Sequence, residues 1–316
     1  MGKEYFSPLL TPFLLQLPLS LGPTYLILIP LLIDTHSHLD FSDFDADREA
    51  VIQRATDAGV TRLIAIGTNL TTSRAALALA DQHSNVFATV GIHPGEVETT
   101  PDSACDELER LACHPKVVAL GECGLDYHYL PSSTNSAFAG ASIATGGTAP
   151  GTETLLLQDA NLKNRQAIFF QEQLDLAVRL SLNVVVHQRD SWADTLATLQ
   201  PYAGRLRAVF HCFSGTPTQA NELIALGHAV SFTGIATFKN ARDLHESIRQ
   251  IPAHSYFLET DCPYLAPEPH RGQRCEPAHT RIVAEKVASL RGRTLEEIAR
   301  ETTATAEKFF RFTPTQ

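Results

Sequence analysis

No two cysteines in this chain stand at CxxC spacing. The six (Cys105, Cys113, Cys123, Cys212, Cys262 and Cys275) are scattered without a period. A structural zinc ribbon needs close thiolate pairs, and disulfide frameworks belong to chains far shorter than 316 residues. Both are excluded, and reduced thiols in a cytoplasmic enzyme are expected. There is also no positive excess: 25 Lys and Arg stand against 35 Asp and Glu, a net charge of −10. That excludes a protein that coats nucleic acid through a broad basic surface, though not one that meets phosphates at a local, metal-charged site. No fixed-period repeat is visible. Disorder throughout, collagen and coiled coil are excluded by 44% hydrophobic and 19% charged residues.

From Phe6 to Ile33 there is no charged residue at all. Prolines at 8, 12, 18, 23 and 30 break any helix that would span a bilayer there, so no stable membrane association is expected. A signal peptide fits little better, because Lys3 is cancelled by Glu4 and the small-x-small triplet ending at Gly22 runs into Pro23. Residues 1–31 are therefore expected to be an apolar extension that is no part of the folded domain. A TTG start at Leu31 or Leu32 would leave them out of the native chain altogether. A second stretch, 131–160, is rich in Ser, Thr, Ala and Gly and reads as a flexible insertion. Without these two segments, the remaining length is close to the roughly 250 residues of one (β/α)8 barrel.

The rest of the chain alternates. Short apolar runs near 32–35, 62–67, 86–92, 117–121, 183–187, 207–211, 228–232 and 255–260 predict buried strands. Amphipathic stretches between them predict helices, among them Asp45–Ala58, Gln166–Leu182 and Pro217–Leu226, with a closing helical pair at 294–310. Eight such alternations predict a single α/β domain, a closed parallel (β/α)8 TIM barrel. A doubly wound open sheet is the runner-up, but no GxGxxG follows the first strand, which removes its usual dinucleotide-binding version.

In a barrel, functional groups gather where strands end at the C-terminal face. The first predicted strand runs into Asp34-Thr35-His36-Ser37-His38, and histidines two apart on an extended chain point to one side. The fourth runs into Gly121-Glu122-Cys123-Gly124-Leu125-Asp126, the fifth ends at His187, the sixth at His211 and the eighth at Glu259-Thr260-Asp261. Any one of these residues alone reads as a hydrogen-bonded rim group. Four histidines and two carboxylates at one mouth read as a metal site. The mixed imidazole and carboxylate set suits Zn²⁺, Mn²⁺ or a similar ion, whereas Mg²⁺ alone would prefer more oxygen.

These segments, with Gly91-Ile92-His93-Pro94, His211-Cys212-Phe213-Ser214-Gly215, Thr260-Asp261-Cys262-Pro263-Tyr264-Leu265 and Pro269-His270-Arg271-Gly272, closely resemble the TatD-type metal-dependent deoxyribonucleases of the amidohydrolase superfamily. The resemblance runs in order from about residue 32 to the C-terminus. It implies a hydrolase carrying two divalent ions (Zn, Mn or Mg) that cleaves phosphodiester bonds in DNA, as an exonuclease. Carried over, His36, His38 and Asp261 would hold one ion, Glu122 would bridge to the second, and His187 and His211 would complete it. Asp261 is then the candidate general base. Glu122 stands where a lysine would suggest a carbamate-bridged amidohydrolase. His93, Arg271 and Arg189 are candidate substrate contacts, against the alternative of rim or solvated loop groups. The chain departs from the family pattern at Gly95, where a histidine is common, and at Cys275, where an asparagine is. Both positions bear on substrate preference. Competing readings are ester hydrolysis on another nucleic-acid substrate such as an aminoacyl-tRNA, a small-molecule amidohydrolase, and a metal-binding scaffold without turnover. A cytoplasmic monomer is expected.

Overall fold

The computed structural model describes residues 31–133 and 151–312. The apolar, β-branched runs form strands β1 (Leu32–Ser37), β2 (Val60–Ile66), β3 (Val86–Val90), β4 (Val117–Asp126), β5 (Asn183–Arg189), β6 (Ala208–Phe210), β7 (Ala229–Phe232) and β8 (Tyr256–Leu258). Between and after them lie helices α1 (Arg48–Asp57), α2 (Leu70–Gln82), α3 (Ala104–Ala112), α4 (Thr152–Leu180), α5 (Trp192–Leu199), α6 (Pro217–Ala225), α7 (Arg242–Gln250), α8 (Thr280–Arg291) and α9 (Leu295–Phe310). Helix starts are set locally: Asn69 with Thr72, Thr216 with Gln219 and Thr294 with Glu297 form reciprocal caps that satisfy orphan N–H groups.

All strands are parallel and pair in chain order from β1 to β8. The β8–β1 seam is closed mainly by side chains. Thr260 donates to the Asp34 carboxylate from its backbone N (3.0 Å) and its Oγ1 (2.6 Å), and Thr35 Oγ1 donates to the Leu258 carbonyl at 3.2 Å. Beyond these, Ser37 and Cys262 form a single parallel bridge. Burial pushes the Asp34 carboxyl up to about 8, so at neutral pH it contributes little fixed charge to the seam. The expected closed barrel is what forms.

Two apolar layers hold it. One lies between the outer faces of the strands and the helices. The other fills the barrel, where Ile33, Ile64, Phe87, Val118, Val185, Val209, Ala229 and Phe257 meet Phe309 and Phe310 of α9. Phe257 stands 5.2 Å from Phe309 and 5.6 Å from Phe310, ring centre to ring centre. The Asn183 amide, at the start of β5, donates to the Phe309 carbonyl at 2.7 Å. The N-terminal end of the barrel is thereby stoppered with aromatic carbon, and the polar strand ends are left at the opposite mouth.

Two expectations need correction. Residues 294–310, expected to hold a helical pair, form the single helix α9, because no Gly or Pro interrupts the run from Leu295 to Phe310. The flexible stretch predicted over 131–160 gives way to helix at Thr152, well before the predicted helix start at Gln166. Residues 152–165 contain no Gly or Pro and include four Leu with Ala, Lys and Arg, so helix propensity prevails there. Asp159, on the third turn, accepts from the backbone N of Ser132 at 2.9 Å and ties α4 back to the chain after β4. Residues 134–150 and the apolar segment 1–30 lie outside the described residues, and β1 begins at Leu32. No helix among the described residues is long and apolar enough to cross a membrane.

Candidate metal centre

Parallel strands deliver their C-terminal ends to one mouth, and six of the predicted residues meet there. His36 in β1 and His38, just past its end, turn the same way, and their Nε2 atoms stand 3.5 and 3.3 Å from Asp261 Oδ1. Asp261 is brought to them by the backbone: its N–H donates to the His36 carbonyl, and the His38 N–H donates to the Cys262 carbonyl, each at 2.9 Å. Asp261 itself adopts φ 58°, a left-handed conformation that aspartate tolerates better than most residues. Across the mouth, Gly124 takes φ +142°, and a Cβ there would fall 2.0 Å from the His187 carbonyl oxygen. Glycine thus lets β4 and β5 approach closely enough for His187 to reach Glu122.

Glu122, in β4, is buried at the centre, and its two oxygens address different partners. Oε2 faces His36 Nε2 at 3.4 Å. Oε1 faces His211 Nε2 at 2.7 Å, His187 Nδ1 at 2.9 Å and His93 Nε2 at 3.5 Å. Three groups of ligand atoms lie within 4.8 Å of one another: His36, His211 and Asp261; His36, His38 and Glu122; and His93, Glu122 and His187.

The donor set fits divalent cations. His36 Nε2 is buried and has hydrogen-bond geometry to no partner, although carboxylate oxygens stand 3.4 and 3.5 Å away. Atoms ~2.1 Å from one ion at a tetrahedral angle are themselves roughly 3.4 Å apart. A buried nitrogen left without a hydrogen bond at that spacing is otherwise costly. His36, His38, Glu122, His187, His211 and Asp261 stand where they could hold a divalent cation.

Charge at the centre follows from crowding. Burial alone would lower His211, but the Glu122 carboxylate against its ring pushes it up to about 10. His36, stacked on His211 with centroids 4.1 Å apart, is pulled down to about 4 by burial and by that neighbour. Burial opposes ionisation of Glu122 and Asp261 too, yet the surrounding imidazoles hold both carboxyls below their usual range. Both are anions at neutral pH.

Two positions reveal roles that spacing did not. Asp126, the last residue of β4, lies 3.0 Å from His187 Nε2. With Nε2–H directed there, His187 Nδ1 presents its lone pair to the centre. Glu259, buried beneath His211, accepts from the Cys212 N–H at 2.6 Å and lies 3.8 Å from His211 Nδ1. Both residues stood in strand-end segments of the sequence, but nothing there separated an orienting carboxylate from a ligand.

The predicted substrate contacts divide. His93 Nδ1 accepts from the Gly95 N–H at 2.9 Å, so its Nε2 carries the hydrogen when the ring is neutral. Burial, followed by the nearby His187, lowers it to about 3 and keeps it neutral. Arg189 lines the mouth, donating from Nη1 to Tyr129 Oη at 3.1 Å. Arg271 lies over the Phe238 ring at 4.2 Å and is not among the residues lining the cavity. The cavity itself has a volume of about 650 Å³, and Phe41, Thr68, Glu96, Tyr264 and Leu265 are among the other residues of its wall.

Helix α4 fixes two of these strand ends through paired amide contacts. Gln166 accepts from the Asp126 N–H and donates to the Asp126 carbonyl, both at 3.0 Å. Gln173, two turns on, does the same with Ile92 at 2.8 and 3.1 Å, next to His93.

The family model described as TatD related DNase matches residues 33–311. The chain belongs to the TatD family. It is 33% identical to the uncharacterized metal-dependent hydrolase YabD of Bacillus subtilis, covering 89% of this chain and 99% of that protein. It is 32% identical to the 3'-5' ssDNA/RNA exonuclease TatD of Erwinia amylovora, covering 88% and 99%. The crystal structure of YJJV, a TatD homolog from Escherichia coli K12, superposes with a TM-score of 0.76 at 30% identity, over 90% of this chain and all of that one. TatD membership makes the chain a metal-dependent hydrolase acting on ester bonds.

Proposed function

We propose that the chain hydrolyses phosphodiester bonds in single-stranded nucleic acid, working from a strand end, with two divalent ions at the barrel mouth. The observation that carries this is Glu122: one buried carboxylate whose Oε2 addresses His36 while its Oε1 addresses His187 and His211. A carboxylate placed between two imidazole groups is suited to bridge two cations. His36, His38 and Asp261 would hold one, and His187 and His211 the other. When bound, such ions supply an acidified water and neutralise charge on the attacked phosphate.

The chain's own groups supply the rest. Asp261, ionised and beside His36 and His38, accepts the proton of the attacking water. His93 presents Nε2–H to a phosphate oxygen, a role its tautomer favours over ligation. Arg189 offers a guanidinium fork to the same or the next phosphate. Asp126 holds the His187 ring in register. The Erwinia amylovora relative, named for exonuclease action on single-stranded DNA and RNA, supports the same substrate class.

The test is incubation of the purified protein with end-labelled single-stranded and duplex DNA in Mg²⁺, Mn²⁺, Zn²⁺ or EDTA. A metal-dependent ladder that shortens from one end of the single strand is expected. No ladder with any metal would move the reading to ester hydrolysis on another substrate.

A further inference from the structure

Large aromatic side chains are seldom left in water without cause, because each forfeits the burial of a wide apolar face. Among the described residues, Tyr129 and Tyr264 are the aromatics left more than half exposed, 54% each. Both line the cavity that holds the candidate metal ligands. Tyr129 follows β4 and Tyr264 follows β8, strands that face one another across an eight-stranded barrel. The two rings therefore stand on opposite rims with the ligand cluster between them.

Their surroundings differ in a useful way. Arg189 lies over Tyr129 with its guanidinium carbon 5.0 Å from the ring centroid. It is the one Arg or Lys lining the cavity, and among the described residues it makes no ion pair. Tyr264 meets Phe41 at 6.2 Å and His38 at 6.4 Å, both edge-on, so no ring lies flat against it. Phe41 in turn stacks on His38 at 4.7 Å, joining that rim to a candidate ligand. His128 meets Tyr129 edge-on at 4.9 Å. One rim thus pairs a stacking surface with a cation that makes no ion pair among the described residues, and the other offers a stacking surface fixed against the metal cluster.

We propose that Tyr129 and Tyr264 are two nucleobase-stacking subsites that hold successive unpaired bases on either side of the scissile phosphate, with Arg189 taking the phosphate on the Tyr129 side. This rests on reading the site as one for nucleic-acid strands. It goes further in assigning selection for single strands to the rims. Bases within a duplex keep both faces stacked on their neighbours and cannot lie on rings at opposite edges of the mouth. Stacking on an aromatic face is tolerant of base identity, so little sequence preference follows.

The test compares two probes of equal length and charge. One is a phosphorothioate oligothymidylate, which resists hydrolysis, and the other is its abasic analogue with the same backbone. Binding to the metal-loaded protein is read by fluorescence anisotropy. The thymidylate should bind about 25-fold or more tighter than the abasic strand, the size expected for two stacked bases. Tyr129→Ala and Tyr264→Ala should each shrink that ratio by about fivefold or more, while Tyr264→Phe keeps it, since the ring face and not the hydroxyl is used. Equal affinity of the wild-type protein for the two probes overturns the proposal, as does an unchanged ratio in both alanine variants. Cleavage of an ordinary oligothymidylate is followed in parallel. Cleavage without base-dependent binding removes the stacking subsites and keeps the nuclease reading. Base-dependent binding without cleavage does the reverse, and neither binding nor cleavage removes both.

Discussion

The two ends of this barrel are built from the same eight strands and are chemically opposite. At the N-terminal end, Phe257, Phe309 and Phe310 close the interior with apolar carbon, and α9 seals it. At the C-terminal end, buried histidines and carboxylates crowd together, and ring nitrogens of His36, His38 and His211 lack a hydrogen-bond partner. One end contributes stability through burial. The other is an arrangement of polar groups with burial costs that a bound cation would offset. Stability and chemistry are thus separated along the barrel axis, and substitutions at the two ends should fail in different ways.

The sharpest contrast comes from single changes at each end. Asp261→Asn should lower kcat by about 10³-fold, within the range of a lost general base, without lowering the unfolding midpoint of the metal-free protein. Steady-state rates and thermal denaturation together check this, and near-wild-type turnover would remove Asp261 from the base role. Phe309→Ala should instead cost about 3–5 kcal/mol of stability in denaturant titrations, while the protein that remains folded keeps its metal affinity. A smaller stability effect is expected on chelation: EDTA should lower the unfolding midpoint by linkage, corresponding to about 3 kcal/mol when the ion is supplied at a hundred times its Kd. Phe309→Ala should leave that increment intact, and Asp261→Asn should reduce it.

Finer changes sharpen the comparison. Asp126→Asn should weaken metal binding or activity by about 10- to 100-fold, because His187 loses its orienting carboxylate while every ligand remains. Isothermal titration with Zn²⁺ measures it. Arg62→Ala, which removes a 2.8 Å surface ion pair to Glu307 at the sealed end, should change stability by less than about 1 kcal/mol and leave catalysis alone.

Much of this was legible in the residues. Alternating apolar runs and amphipathic stretches point to a barrel because parallel strands buried on both faces leave that pattern and few folds share it. The candidate ligands were legible because they stand at strand ends, where the fold itself brings distant residues together. What was hidden depends on distances that spacing does not encode. Asp126 and Glu259 are carboxylates at strand ends like Glu122 and Asp261, and only their placement behind an imidazole marks them as orienting groups. The seam made by Asp34 and Thr260 joins residues more than two hundred positions apart. Helix α4 begins earlier than expected because Ser-, Thr- and Gly-rich composition upstream outweighed the helix-forming run from Thr152. Arg271 shares a residue type with Arg189, and only the structure shows that one lies over Phe238 and the other at the mouth.

The amide pairs of α4 carry a consequence for how this chain tolerates change. Gln166 and Gln173 grip the ends of two strands by backbone N–H and carbonyl together, so the helix takes its position from the barrel. Residues added or removed between Ser133 and Thr152 are therefore expected to leave the ligand geometry unchanged.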